Sequence, residues 1–251
     1  MTAEWLLQRV RGLADPGLRR RALAVVLAQA DPAVAAAAAA DLIERAARRS
    51  GDADLASGLV CFVHAVADLD YATRQALYEA ARARGAGAVA RLLFDASPAT
   101  AEPGTVAKQL RPERPLRNRG RELTLGERKA LARSGRRDLL MHLVRDPHPD
   151  VVRILLDNPH LTERDAVALA AARPAVPAAL AAVADHRRWS TRHMVRRALV
   201  LNPHTPVHVA MRLATTLAAV DWREIAGDSH LAEPLRTHAA ELLRAGRPPL
   251  P

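Results

Sequence analysis

The sequence predicts an all-α protein, an α-α superhelix of stacked helical hairpins. Three observations carry that reading: apolar residues recur at helical spacing between short turns, the C-terminal half repeats itself, and the core must be built from small aliphatic side chains. Hydrophobic residues make up 49% of the 251 but aromatics only 3%. Leu, Val and above all Ala therefore supply the core, and such small side chains let helices approach closely. A chain of this length can bury a self-sufficient core without staples.

The first 97 residues read as successive amphipathic helices punctuated by Asp15-Pro16, Asp31-Pro32, Gly51, Asp68 to Asp70 and Gly85 to Gly87. Asp-Pro is a helix-start signal, because Asp accepts an orphan amide hydrogen while Pro at the first helical position lacks only an N–H that would have no partner anyway. The run from Ala35 to Ala40 has high helix propensity, with Leu42 and Ile43 as its expected core anchors. Between Pro98 and Glu122 the pattern fails, interrupted by Pro98, Pro103, Gly104, Pro112, Pro115 and Gly120, and a basic linker or long loop is expected there. Helix resumes at Thr124-Leu-Gly-Glu127, spaced for a reciprocal capping box. The predicted organisation is thus a helical region over 1–97, a linker over 98–122, repeats over 123–246 and a tail over 247–251.

The repetition lies in that third region. Asn158-Pro-His160 recurs as Asn202-Pro-His204, each followed by an amphipathic helix. Val152-Arg153 upstream of the first corresponds to Val195-Arg196 and again to Leu235-Arg236, and each pair follows a turn aspartate: Asp146, Asp185 and Asp228. In these residues the chain resembles the HEAT and armadillo-like helical repeat families, α-solenoids that include leucine-rich-repeat-variant proteins. The resemblance covers 137–245 well and 15–97 weakly, and the middle unit carries about four extra residues around Trp189. It implies stacked hairpins with an exposed surface formed by one helix of each pair, commonly a binding face. It also implies that Arg153, Arg196 and Arg236 pair with the turn aspartates, although the same three could instead form a ladder for an anionic ligand. On chemistry the resemblance is nearly silent.

Charge narrows the partner. The chain carries 37 basic and 27 acidic residues, a formal net charge of +10. Such an excess suits an acidic partner such as nucleic acid, an acidic protein or anionic lipid. The positive charge is almost all Arg in an Ala-rich chain, a bias that GC-rich coding also produces. Its distribution is more informative: residues 105–145 hold twelve Arg or Lys against four acids. Arg111, Arg114, Arg117, Arg119 and Arg121 in this stretch, with Arg187, Arg188, Trp189 and Arg192 in the basic segment His186 to Arg192, are the candidate partner-binding residues. Trp189 has two readings, a stacking surface for a base or a wedge between repeats.

No catalytic, cofactor or metal site is expected. The single Cys61 lies in an apolar run and reads as a buried thiol, with no disulfide and no multi-cysteine zinc site. His204 and His208 stand four apart but lack ligating companions, so the Asn-Pro-His histidines are expected to hydrogen bond at turns. Asp68 and Asp70 are expected to cap helices. Phosphate-binding glycine motifs and nucleophile elbows are absent from the sequence. No secretory leader or stretch of about 18 apolar residues is evident, so a cytoplasmic protein without a membrane span is expected. The function expected is a non-catalytic scaffold that binds another macromolecule, most simply an acidic protein segment. The alternative is a nucleic-acid-binding protein of the kind that repairs alkylated DNA.

Overall fold

The computed structural model describes residues 2–48, 52–93, 117–118 and 121–246. Among them the chain is all-α. In order, the helices are α1 (Ala3–Gln8), α2 (Pro16–Gln29), α3 (Pro32–Arg48), α4 (Ala53–Val66), α5 (Tyr71–Ala83), α6 (Gly87–Leu93), α7 (Leu125–Ala132), α8 (Arg137–Leu143), α9 (Pro149–Leu156), α10 (Glu163–Ala171), α11 (Pro177–Asp185), α12 (His193–Val200), α13 (Val207–Ala214), α14 (Ala219–Gly227) and α15 (Glu233–Ala245). One short antiparallel pair, β1 (Arg117–Asn118) with β2 (Arg121–Glu122), ends the stretch read from the sequence as linker. Most of that stretch lies outside the described residues. None of the described helices is long and apolar enough to cross a membrane. The chain forms two compact units, residues 1–96 with 210–251 and residues 97–209.

In the first unit α3 is the hub, packing on α1, α4, α5, α6 and α15. Its inward face is Ala35, Ala36, Ala38, Ala39, Leu42 and Ile43, all buried. Alanines at helical spacing keep the interaxial distance short enough for five neighbours to reach one helix. Gly58 of α4 is the tightest case: a Cβ there would come within 2.0 Å of Leu7 Cδ2 on α1, which explains a glycine inside a helix despite its intrinsic cost. The unit closes with α15, whose Glu241 Oε2 accepts a hydrogen bond from Arg91 Nε of α6 at 2.7 Å. Beneath it, His238 is fully buried with Nε2 2.8 Å from Thr215 Oγ1. Burial, reinforced by the charge of Arg91, pulls its pKa from 6.5 down to about 4.

The predicted caps form. Asp15 accepts Leu18 N–H at 2.8 Å, Asp31 accepts Ala33 and Val34 N–H, and Asp70 accepts Thr73 N–H at 2.7 Å. Asp68, expected to cap as well, instead forms an ion pair with Arg20 of α2. Thr124 and Glu127 make the full reciprocal box at the start of α7.

In the second unit α9 packs on α7, α8 and α11, and α10 packs on α11 and α12. Val151, Val152, Leu155 and Leu156 on one face of α9 are buried, as are Leu140, Leu143 and Val144 around the end of α8. Helices α7–α9 and α10–α12 follow one another as two triplets, and both segments of the sequence repeat fall at the same place in each triplet, just after the third helix.

Candidate interaction surface

Why Asn-Pro-His recurs is settled by what its first residue touches. Asn158 Nδ2 donates to the carbonyls of Ala132 and Ser134 at 2.8 and 2.9 Å, and its Oδ1 accepts His160 N–H at 2.9 Å. Asn202 repeats this set, donating to Ala170 and Ala172 at 2.8 and 2.9 Å and accepting His204 N–H at 3.1 Å. Each asparagine thereby satisfies orphan carbonyls at the end of the first helix of its triplet, at the cost of an almost fully buried amide. The histidines were expected to make the turn's hydrogen bonds. In these sets each contributes its backbone N–H, and the side-chain bonds are made by Asn.

A second tie comes from Trp189, 1% exposed, whose indole Nε1 donates to Leu156 O at 2.9 Å. Arg188 lies over the ring, its guanidinium carbon 4.2 Å from the centroid. Of the two readings of Trp189 the wedge is the one this geometry fits, since the ring has no open face on which a base could stack.

These ties bring three turns of the second unit side by side. Arg137 Nη1 donates to His160 O at 2.9 Å and to Asp165 Oδ2 at 2.8 Å, linking the α7–α8 turn to the α9–α10 turn. Asp165 is 2% exposed, and the salt bridge and the Thr162 hydrogen bonds outweigh burial to hold its carboxyl below the usual range. His186 Nε2 lies 3.1 Å from Asp157 Oδ1 and Arg192 Nε lies 3.8 Å from Glu163 Oε2, linking the α9–α10 turn to the α11–α12 turn. Along this edge Arg133, Arg136, Arg164, Arg187, Arg188 and Arg192 are exposed. Arg136 is paired with Asp138 at 2.9 Å. Arg133, Arg164, Arg187 and Arg188 have no carboxylate partner among the described residues.

The other candidate residues fall elsewhere. Arg111, Arg114 and Arg119 lie outside the described residues, and Arg117 is placed only by its backbone in β1. Arg121 holds both Glu127 oxygens, at 2.8 and 2.7 Å, and with the Thr124 hydrogen bonds pulls that carboxyl down to about 2. Its charge is therefore spent locally. Arg133 belongs to the basic stretch 105–145 and Arg164 to no basic run, and neither was singled out from the sequence, where nothing relates them to Arg187 and Arg188.

The expected pairing of repeated arginines with turn aspartates is not what Asp146 and Arg153 do. Asp146, 7% exposed, takes Arg128 of α7 at 2.6 Å and accepts His148 N–H, while Arg153 points outward to Asp150 one turn earlier at 2.9 Å. Arg196 is buried, with Nη1 donating to Thr191 O at 3.3 Å, and desolvation pulls its pKa below the usual guanidinium range. Cys61 is buried and its thiol is pushed up to about 11 by desolvation. No group of three His, Cys, Asp or Glu side chains is placed to hold a metal ion among the described residues. Comparison with protein-family models, with curated proteins and with solved structures finds no match for this chain.

Proposed function

We propose that the chain is a non-catalytic interaction protein that docks an acidic segment of another protein on the basic edge of its second unit. The observation that supports this is the set of Arg133 at the end of α7, Arg164 at the start of α10, and Arg187 and Arg188 in the α11–α12 turn, exposed and without carboxylate partners among the described residues. The turns carrying them are tied by buried Asn158 and Trp189, so the cations are presented with little ordering cost. The resemblance to HEAT and armadillo-like repeats belongs to the same proposal. The Asn ties at corresponding points of successive three-helix triplets support it, with armadillo-like triplets a closer fit than two-helix hairpins. A cytoplasmic location accompanies this reading.

A phosphate backbone is the second reading, supported by the same arginines, and buried Trp189 restricts it to backbone contacts without stacking. Salt separates the two. Binding of fluorescent duplex DNA, single-stranded DNA and an acidic peptide is measured across a salt series, with the full chain and with a variant carrying Arg133, Arg164, Arg187 and Arg188 changed to Ala. Docking of a protein segment predicts peptide binding that the variant loses and only weak DNA binding. Tight DNA binding whose log K falls by about 0.9 per phosphate contact for each unit of log salt, and which the variant loses, would replace it with the nucleic-acid reading. Retention of all binding by the variant would remove the edge from either account.

A further inference from the structure

A groove of about 460 Å³ opens in the second unit, between the turn after α8, α10 and the start of α11. Its floor is Val144, Val152, Leu169 and Leu180, and small alanines of α10 and α11 leave it open. The only polar side chains in its lining are Arg145, Asp146 and Arg173. Asp146 is buried against Arg128, so its charge is cancelled before it reaches the groove. Arg145 and Arg173 are exposed at the rim. Arg173 donates to the carbonyl of Leu201 at 2.5 Å and has no carboxylate partner among the described residues. At the same side α11 begins without a side-chain cap at Val176, which adds to the positive field.

This combination selects its occupant. Small-molecule sites of this volume carry several convergent polar groups that fix a ligand's orientation. Here the lining is an apolar floor with the exposed Arg173 at its rim, and its one carboxylate, Asp146, is already held by Arg128. We infer that the groove binds an acidic peptide segment of a partner protein, one apolar side chain seated on Val144, Val152, Leu169 and Leu180 and a flanking Asp or Glu side chain meeting Arg173 beside the start of α11. The inference rests on the reading of an acidic protein partner and names a second, separate contact with it. The basic edge supplies long-range attraction, and the groove reads an apolar residue within the acidic segment.

The test is selection of a randomised short-peptide library on the full chain, followed by anisotropy titration of the enriched peptides. Enriched peptides should place Leu, Ile, Phe or Met next to Asp or Glu. Their affinity should fall about tenfold or more in Arg173→Glu, as expected for charge reversal at a contact. Ala168→Trp, which fills the groove from an exposed position of α10, should do the same, with both variants melting like the parent. Peptides insensitive to both changes but lost in the four-arginine edge variant would overturn the groove while sparing the proposed function. No acidic preference at all would overturn both. Concentration-dependent dimerisation abolished by Ala168→Trp would make the occupant a second copy and also overturn the proposal.

Discussion

The two units solve the same problem, joining short helices without aromatic bulk, by different means. In the first, a long alanine-faced helix gathers its neighbours, and the turns are finished by local carboxylate caps such as Asp15 and Asp31. In the second, no described helix exceeds nine residues, and the turns are tied over distance by Asn158, Asn202, Trp189, Arg128 and Arg137. Side chains that reach carbonyls or carboxylates in another turn replace the contact area that short helices cannot supply. Where a face is broad, packing suffices; where it is narrow, specific polar ties take over and fasten neighbouring turns to one another.

Changing Asn158 or Asn202 to Ala should break that contrast most strongly. Each change removes three hydrogen bonds and strands carbonyls in the interior, a loss of about 4 kcal/mol. Urea titration followed by hydrogen exchange should show it concentrated in the second unit for Asn158→Ala. A smaller effect should appear in the first unit on acidification. His238 is held neutral when folded but titrates at 6.5 when unfolded, so the unfolded state gains a proton that the folded state refuses as pH falls from 6.5 toward 4. Stability should therefore drop through that window by about 3 kcal/mol and level off below it. Thermal melts of the parent and of His238→Gln check this, and the variant's profile should be flatter. Trp189→Phe keeps an aromatic ring but loses part of the indole and strands Leu156 O, and should cost about 2 kcal/mol of second-unit stability in urea titration. Thr124→Ala, which removes the hydroxyl half of a local cap, should cost about 1 kcal/mol in the same melts.

What was legible in the sequence is what is local in it. Asp15, Asp31, Asp70 and the Thr124–Glu127 box announce themselves because acceptor and donor lie within three residues. Asp68 does not, since its partner Arg20 is 48 residues away and nothing in the intervening sequence marks the pair. The Asn-Pro-His recurrence marked a turn but pointed to the wrong residue, because the carbonyls that Asn158 and Asn202 satisfy belong to helices far upstream and histidine is the more conspicuous side chain. Arg128 was hidden from Asp146 in the same way: a neighbouring helix presents it, while Arg153, nearer in sequence, faces solvent. Contact between α15 and α3 has no signature in either helix beyond an apolar stripe. As for the proposed interaction surface, Arg187, Arg188 and Arg192 could be found as one basic run and Arg133 within another, but nothing local in the sequence relates the two runs to each other or to Arg164.

The asparagine tie also bears on how such a chain can change length. Asn158 reaches back 26 residues to Ala132, and Asn202 reaches back 32 to Ala170, yet the bonds formed are the same within 0.1 Å. The second triplet has therefore absorbed extra residues between its two fastened ends without disturbing either fastening. A clasp that tolerates slack in this way gives natural variation, or a protein engineer, a defined place to lengthen the chain. The turn from His186 to Arg192, seven residues against the five between α8 and α9, takes up two of the six extra residues, and α11 is two residues longer than α8; a graft in that turn, beside its exposed arginines, would alter what the edge presents.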